Sequence, residues 1–250
     1  MNLAEKRIDY IVDWIKAYFV NNGNENTKAV IGISGGKDST IAAALLVRAL
    51  GPDKVVGVLM PNGEQKDIDD ARKVCEILKI KNYEINIKDV CTTLYANFAN
   101  ESELPLNDVA LMNTPPRVRM TVLYMVAAIV GGRVVNTSNA SEKYIGYCTK
   151  FGDTAGDFSL FKRYYVKDIL EMGDALTELP YELVHKDPAD GLTGKTDEDK
   201  IGFTYENLDN YLINHITADF DTMYKIKQMN DKAQHKNVIN LPAPIRVEGE

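Results

Sequence analysis

The sequence predicts an α/β fold of the Rossmann-like, doubly wound type, a parallel sheet with helices on both faces. Short apolar runs alternate with amphipathic helical patterns along the chain, as in successive strand–helix–strand units. A glycine-rich turn joins the first apolar run to the helix that follows it. The 250 residues are 45% hydrophobic, which is enough for a substantial core, and we expect residues 1–250 to form one domain.

A helix comes first, because apolar residues recur at helical spacing over Leu3–Val20. Short apolar segments then predict parallel strands at Ala29–Ile33, Lys54–Met60, Asn82–Ile87 and Arg133–Asn136. The intervening segments predict helices at Ser39–Leu50, Lys66–Leu78, Lys88–Phe98 and Arg117–Val130. A ligand in such a sheet binds beyond the carboxyl ends of the strands, where the strand order reverses. We therefore expect Ser34–Ser39, Met60–Pro61 and Thr137–Glu142 to converge on one site.

The turn after the first strand has the residues of a phosphate-binding loop. Its sequence is Ile33-Ser34-Gly35-Gly36-Lys37-Asp38-Ser39-Thr40. Its two glycines can reach positive φ, so that loop amides can turn toward an anion at the helix N-terminus. Lys37 adds a cation, and the hydroxyls add donors, whereas Asp38 would repel phosphate unless a divalent metal lay between them. The spacing is not that of a Walker P-loop. The loop indicates a nucleoside triphosphate; the other interpretation is a glycine turn with an aspartate helix cap.

Charge and composition narrow the classes of partner. The formal net charge of −7 disfavours a large nucleic-acid surface, because such surfaces cluster Lys and Arg. No run approaches the ~20 apolar residues that a membrane span requires, so we expect no membrane partner and a cytoplasmic protein. The three cysteines, Cys75, Cys91 and Cys148, form no Cys-x-x-Cys pair for zinc or redox chemistry. Cys75 lies on an apolar helix face, which predicts a buried thiol.

Further sequence blocks extend the pattern beyond the loop. After the fourth strand come Thr137, Glu142 and the run Gly146-Tyr147-Cys148-Thr149-Lys150-Phe151-Gly152-Asp153, with Asp157 beyond it. Other blocks lie at Asn113–Met120, Asp187–Leu192, Thr196–Asp199, Gly202–Tyr205 and His235-Lys236. The Ser-Gly-Gly-x-Asp-Ser loop resembles that of the ATP pyrophosphatases. Taken in order, the blocks resemble the NAD synthetases within that group, over nearly the whole chain.

The resemblance implies an adenine nucleotide alpha hydrolase-like fold and a ligase that catalyses the last step of NAD biosynthesis. In that family ATP adenylates the carboxylate of deamido-NAD and releases pyrophosphate, and ammonia then displaces AMP to give NAD. Adenylation is needed because a carboxylate is a poor acyl donor until its oxygen becomes a leaving group. The resemblance also implies free ammonia as nitrogen source, no glutaminase or amidase domain, and a homodimer with the substrate site at its interface. The apolar stripes of Leu3–Val20 and Met120–Val130 suit either that interface or the core.

The family roles carry over by position. For ATP the resemblance implies contacts from Ile33, Ser34, Gly35, Gly36, Lys37, Asp38, Ser39, Met60 and Thr137. For deamido-NAD it implies contacts from Arg117, Lys150, Asp157, His235 and Lys236. Asp38 and Glu142 would bind Mg²⁺, Lys37 would offset charge on the departing pyrophosphate, and Asp153 would orient ammonium or take its proton. Structural interpretations stay open for Glu142 as a helix-start acid, Thr137 as a helix cap and Asp153 as a turn residue.

The chain departs from the family at two phosphate-contact positions. Val166 stands where some members have lysine, and Ala189 where they have threonine or serine. Compensation could come from one of three lysines: Lys37, Lys167 or Lys186. Residues Pro188–Lys200 are polar and contain glycine, which predicts a mobile loop that is either a lid or a plain connection.

Two other classes share part of the pattern. Another ATP pyrophosphatase, such as a tRNA thiolase or GMP synthetase, would share the loop. Thiolases of this kind usually carry catalytic or cluster cysteines, however, and GMP synthetase needs its own dimerisation segment. A universal-stress-type nucleotide-binding module would not need Asp38 together with Glu142. Formation of AMP and pyrophosphate with deamido-NAD, rather than with XMP or tRNA, discriminates among these classes.

Overall fold

A five-stranded parallel sheet with strand order β3-β2-β1-β4-β5 forms the centre of the molecule. The strands are β1 Lys28–Gly32, β2 Val55–Leu59, β3 Lys81–Glu84, β4 Gly132–Asn136 and β5 Phe158–Ser159. The structure is a computed structural model that describes residues 2–65, 68–186, 196–216, 219–236 and 243–247. The order reverses between β1 and β4, so the doubly wound parallel sheet predicted from the sequence is confirmed.

Helices cover both faces of the sheet. They are α1 Leu3–Asn22, α2 Lys37–Leu50, α3 Ile68–Ile77, α4 Lys88–Glu101, α5 Asp108–Val130, α6 Ala140–Ile145, α7 Val166–Ala175, α8 Tyr181–Val184, α9 Asp197–Ile201, α10 Tyr205–Asn214 and α11 Phe220–Ala233. Among the described residues, no helix is long and apolar enough to cross a membrane. The predicted strands and helices therefore exist, with ends that shift by a few residues except in α5.

Side chains of β1 alternate between two cores. Ala29 and Ile31 pack into the cluster that contains α1, α2 and α7, whereas Val30 packs into the cluster beneath α4 and α5. This is the period of two that a strand buried on both faces requires. The stripe on α1 is buried in the first cluster, so core packing accounts for it, and Cys75 is a buried free thiol as predicted.

Helix α5 begins at Asp108, nine residues before the start that the sequence predicted at Arg117. The prediction placed Pro115 and Pro116 before the helix, because proline favours a first turn and interrupts an interior. In the structure both prolines lie inside α5. Pro115 cannot donate to the carbonyl of Leu111, and the hydroxyl of Tyr95 on α4 donates to it instead (3.3 Å). A contact from another helix thus satisfies a group that the local sequence leaves without a donor.

The polar segment predicted as a mobile loop is partly helical. Thr196 caps α9 through reciprocal bonds with Asp199, whose amide lies 3.1 Å from the threonine hydroxyl. Lys200 lies within that helix, so the loop interpretation is wrong for residues 197–200. Residues 188–195 of the predicted loop, including Ala189, and the Asp187–Leu192 block lie outside the described residues. Strand β5 has only two residues, too few to produce a sequence pattern.

Candidate active site

The loops that follow β1, β2 and β4 line one pocket of about 400 Å³ at the carboxyl edge of the sheet. This is the convergence that the reversal of strand order predicts. Most of the residues predicted for ATP, metal and ammonia line it: Ile33, Ser34, Gly36, Lys37, Asp38, Ser39, Met60, Thr137, Glu142 and Asp153. Gly35 lies within the same loop without lining the pocket. The structure therefore brings three separate sequence blocks to one cavity.

The phosphate loop turns at a single glycine. Gly35 has φ of 82°, a conformation that favours glycine, whereas Gly36 has an ordinary φ of −87°. The expectation that both glycines use positive φ is thus wrong for Gly36. Gly36 is the N-cap of α2 and supplies no side-chain cap. Because Asp38 lies in the first helical turn, the aspartate-cap interpretation is also wrong, and the amides of that turn are available to an anion.

Two serines hold the loop in shape through bonds within it. The Ser34 amide donates to Ser39 Oγ (3.2 Å), and the Gly36 amide donates to Ser34 Oγ (3.2 Å). Ser39 Oγ in turn donates to the Gly36 carbonyl (3.0 Å). The sequence suggested these hydroxyls as phosphate donors. In this structure they form bonds within the loop and order it, which lowers the entropic cost of binding an anion.

One buried lysine lies between two carboxylates at the base of the pocket. Lys37 Nζ is 3.1 Å from Asp38 Oδ2, and the lysine is only 5% exposed. Burial lowers the pKa of the Lys37 ammonium, but the charges of Asp38 and Glu142 outweigh it, so that its pKa is raised. Burial, and then the charge of Asp38, hold the pKa of the Glu142 carboxyl well above its usual range. The positive charge of Lys37 thus acts on the carboxylates of both Asp38 and Glu142.

Glu142 has a local structural role as well as its place in the pocket. Helix α6 has Asn139 as N-cap, with the Glu142 amide donating to its Oδ1 (2.9 Å) and the Asn139 amide donating to Glu142 Oε2 (3.3 Å). The interpretation of Glu142 as a solvated helix-start acid is therefore correct for its position in α6 but wrong for its solvation, because burial raises the pKa of its carboxyl. Thr137 is not the cap of α6 and lines the pocket.

The pair of Asp38 and Glu142 fits a hydrated divalent cation. Among the described residues, Asp38 Oδ1 is a buried oxygen with no hydrogen-bond partner, and the buried Tyr205 hydroxyl likewise has none. Unpartnered buried oxygens near two carboxylates are costly unless a cation or water is present. Mg²⁺ typically binds through one or two carboxylates together with substrate phosphates, and it needs no third protein ligand. Among the described residues there is no cluster of three metal-ligating side chains.

Asp153 faces the same pocket from a tight turn. The Thr149 amide donates to its Oδ1 (2.7 Å), so the turn-stabilising interpretation is correct for this oxygen. Asn136 Nδ2 donates to its carbonyl (2.6 Å), which fixes the turn against the end of β4. Burial raises the pKa of the Asp153 carboxyl to about 6, while the bond from Thr149 and the charges of Lys236 and Arg119 oppose that rise. The carboxyl thus titrates near neutral pH within the pocket.

Four of the five residues predicted to contact deamido-NAD form one patch beside the pocket. Arg117 Nε donates to the Lys150 carbonyl (3.2 Å), and Lys150 Nζ donates to the His235 carbonyl (2.8 Å). Lys236 Nζ donates to the carbonyls of Gly146 and Cys148, each at 2.8 Å. His235 and Lys236 thus hold in place the segment that runs from Gly146 to Lys150 and leads to Asp153. We refer to Arg117, Lys150, His235 and Lys236 as the basic patch.

Asp157, the fifth of these residues, lies elsewhere. It lines a second pocket at the amino end of β4 together with Tyr124 and Arg133. Its Oδ2 accepts a hydrogen bond from the Val134 amide (2.7 Å). Burial is the main cause, and the charge of Asp157 the second, that raises the pKa of the Tyr124 phenol to about 12. Helix α5 borders both cavities, because Met120 lines the first and Tyr124 the second.

The structure adds pocket residues that the sequence did not assign: Gln65, Arg119, Tyr147, Cys148 and Asp197. Arg119 lies on one face of α5 with Pro116 and Leu123, and of these three only Pro116 lies outside the helix that the sequence predicted. Of the lysines considered as compensation, Lys186 lines the pocket and pairs with Asp70, whereas Lys167 does not line it. Val166 is buried in an apolar cluster.

Comparisons with known proteins agree on one family. The family model described as NAD synthase matches residues 7–240. An NH3-dependent NAD+ synthetase of Pyrococcus furiosus is 40% identical over 211 residues, 83% of this chain and 77% of that protein. A structure of NMN synthetase from Francisella tularensis superimposes with a TM-score of 0.86 at 30% identity, over 96% of this chain and 98% of that one. An NH3-dependent NAD synthetase structure from Campylobacter jejuni gives 0.75 at 27% identity, with coverage of 96% and 98%.

Proposed function

Because this chain belongs to the NAD synthase family, we propose that it catalyses the ATP-dependent amidation of deamido-NAD with ammonia, giving NAD, AMP and pyrophosphate. Its fold, a five-stranded parallel sheet with helices around it, is the adenine nucleotide alpha hydrolase-like fold of its structural neighbours. One observation carries the proposal. A single pocket joins an open helix N-terminus, the Lys37–Asp38–Glu142 cluster and the Asp153 carboxyl.

The first step requires charge neutralisation more than a protein nucleophile. An oxygen of the nicotinate carboxylate attacks the α-phosphorus of ATP, and the bond to the β-phosphate breaks. The departing pyrophosphate gains negative charge, which Lys37 and the amides at the N-terminus of α2 would offset. The serine bonds described above support this role, because they order the loop that leads into those amides.

Asp38 and Glu142 would hold Mg²⁺, which when bound supplies positive charge to the phosphate oxygens. The buried, unpartnered Asp38 Oδ1 supports this assignment. Lys37 then no longer has to neutralise two carboxylates alone, and its ammonium can face the phosphates. Asp38 orients Lys37 through the 3.1 Å contact between their side chains.

The second step needs neutral ammonia, although the solution form at pH 7 is mostly ammonium. We propose that Asp153 binds the ammonium ion and receives its proton. A carboxyl whose pKa is near 6 is largely ionised at pH 7 and still basic enough to share a proton. The contact from Thr149 fixes one oxygen and so orients the group toward the pocket.

For the dinucleotide, we propose that the acid end enters the first pocket and that the rest follows α5. The basic patch offers Arg117 and Lys236 to the two phosphates, while Asp157 in the second pocket offers an acceptor to a ribose hydroxyl. A second candidate is the corresponding mononucleotide acid. The TM-score of 0.86 with an NMN synthetase favours testing it.

We propose that the chain acts as a homodimer that pairs through α4 and α5. Exposed apolar side chains recur on these helices: Val90, Leu94, Phe98, Val109, Met112, Met125 and Ile129. Burying such a patch against a second copy would remove it from water. The double variant Leu94→Lys/Phe98→Lys should then elute as a monomer, whereas Val20→Lys, on exposed α1 surface, should not. A dimer that persists in the double variant would contradict this interface.

The activity test supplies purified protein with ATP, Mg²⁺, ammonium and an acid substrate. We expect AMP and pyrophosphate in equal amounts with deamido-NAD, and none with XMP or tRNA. ADP as product would mean that the wrong bond of ATP is cut, and absence of AMP would overturn the proposal. Parallel reactions with the mononucleotide acid measure substrate size. Replacing ammonium by glutamine tests the nitrogen source, and we expect ammonium to be used.

A further inference from the structure

Arg119 is a third cation in the first pocket, besides Lys37 and Lys186, and neither the proposed binding of ATP nor that of the acid substrate uses it. It lies on the face of α5 that borders the cavity, together with Pro116 and Leu123. Its Nε donates to the backbone carbonyl of Met60 at the end of β2 (3.1 Å). This bond fixes the plane of the guanidinium at the carboxyl edge of the sheet.

The terminal nitrogens of Arg119 are not engaged by protein groups. The bond to Met60 uses one of five N–H donors, and the other four have no acceptor among the residues that the structure describes. Lys37 and Lys186, the lysines of this pocket, pair with Asp38 and Asp70. In the described part of the chain, by contrast, no carboxylate lies within ion-pair distance of Arg119. Its charge is therefore available to a ligand.

The surroundings of Arg119 differ from those of Lys37. The charges that act on Lys37 are those of Asp38, Glu142 and Asp197, on the side of the phosphate loop. Arg119 lies instead on the side of Asp153, and burial lowers its pKa while Cys91 and Asp153 oppose that effect. Arginine nevertheless stays protonated in proteins. The pocket thus has one cation on the side of the phosphate loop and another on the side of Asp153.

We propose that Arg119 is a catalytic residue of the adenylation step, whose guanidinium binds the oxygens of the substrate carboxylate and the ATP α-phosphate as they join. This inference rests on the proposed function. A planar fork of donors can bind both anionic groups at once, which a lysine ammonium cannot do with the same geometry.

The chemistry of the step explains why a cation is needed there. A carboxylate oxygen forms a bond to the α-phosphorus, the bond from that phosphorus to the bridging oxygen breaks, and the electron pair leaves with pyrophosphate. No proton or further reactant is required. The carboxylate and the α-phosphate are both anions and must approach each other. Lys37 acts on the departing pyrophosphate rather than on the approaching carboxylate. Arg119 would offset the repulsion between carboxylate and α-phosphate, in a pocket where such interactions are stronger than in water.

The test measures adenylation alone, as exchange of labelled pyrophosphate into ATP that depends on deamido-NAD and occurs without ammonia. At saturating ATP, we expect Arg119→Gln to lower the exchange rate about 100-fold, and Arg119→Lys, which keeps charge but not the fork, about 10-fold. Arg48→Gln, which removes an arginine at the far end of α2, is the matched control and should exchange at the wild-type rate.

A purely structural role for Arg119 predicts different results. Loss of the Met60 bond would then lower the melting temperature or weaken ATP binding, and the exchange rate at saturating ATP would stay near that of wild type. Added guanidinium ion should restore part of the exchange by Arg119→Ala if the charge is catalytic. Wild-type exchange in Arg119→Gln, or no rescue of a folded, ATP-binding Arg119→Ala, would overturn the inference. If wild-type protein itself shows no exchange, the proposed function fails instead.

Discussion

The two sides of the first pocket are built differently. The phosphate loop is held by contacts between residues two to five positions apart, such as Ser34 with Ser39. The side that would receive the acid substrate depends on contacts across the chain, since Lys150 and Lys236 bond to carbonyls 85 to 90 positions away. The first side is therefore preformed by local sequence, and the second is complete only when the C-terminal helix packs.

The largest expected effect is on the locally built side. Lys37→Met removes the cation that faces both carboxylates and the departing pyrophosphate, and we expect AMP formation to fall about 1000-fold. Initial rates of AMP release measure this effect, with Lys28→Met as control, because Lys28 lies at the amino end of β1 and does not line the first pocket. A fall of less than tenfold would mean that the loop amides suffice without Lys37.

Glu142→Gln tests the metal assignment on the same side. The amide keeps the capping bond to Asn139 but loses the charge, so we expect activity to fall about 100-fold at saturating Mg²⁺. The metal-free variant should also melt higher than metal-free wild type, because folding no longer has to bury or protonate a carboxyl whose pKa is raised to about 8. Rates measured at increasing Mg²⁺ check the fall in activity, and melting temperatures measured with and without Mg²⁺ and ATP check the change in stability. Exposed Glu206→Gln is the control. An unchanged Mg²⁺ response would contradict the assignment.

The long-range side should respond in another way. Lys236→Met removes two bonds to the segment that ends at Asp153, so we expect the KM for deamido-NAD to rise about tenfold while ATP affinity stays unchanged. Exposed Lys232→Met on α11 is the control. Equal losses of affinity for ATP and for the acid would show that the two sides are not separable.

The smallest effect concerns stability and pH. The pKa of Asp153 is raised to about 6 in the folded protein, from 3.8, so its ionised form is the destabilised one. The favourable contribution of the protonated form is complete below pH ~4 and is lost as pH rises through about 6. Relative to Asp153→Asn, wild type should therefore lose about 1–3 kcal/mol of unfolding free energy between pH 4 and 7. Urea unfolding across this range measures the difference. A constant difference would contradict the raised pKa, and a variant that keeps the wild-type rate at limiting ammonia would contradict the catalytic role.

This contrast also explains what the sequence could predict. The phosphate loop and the reversal of strand order could be predicted from the sequence, because glycine chemistry and apolar periodicity are local. The start of α5 could not be predicted, since Pro115 leaves the Leu111 carbonyl without a donor and Tyr95 on another helix supplies one. That error left Pro116, which lines the pocket on the same helix face as Arg119, outside the predicted helix. The separation of Asp157 from the basic patch was equally hidden, because it depends on where β4 begins and ends in space.

Labelling of the carboxylate oxygens gives the most direct test of whether the acid is adenylated in this pocket. Deamido-NAD labelled with ¹⁸O in both carboxylate oxygens is converted in the presence of ATP and ammonium, and the products are analysed by mass spectrometry. If the carboxylate attacks the α-phosphorus, one label appears in the phosphate of AMP and the other stays in the amide of NAD. AMP without label, or label in pyrophosphate, would contradict adenylation of the acid in this pocket.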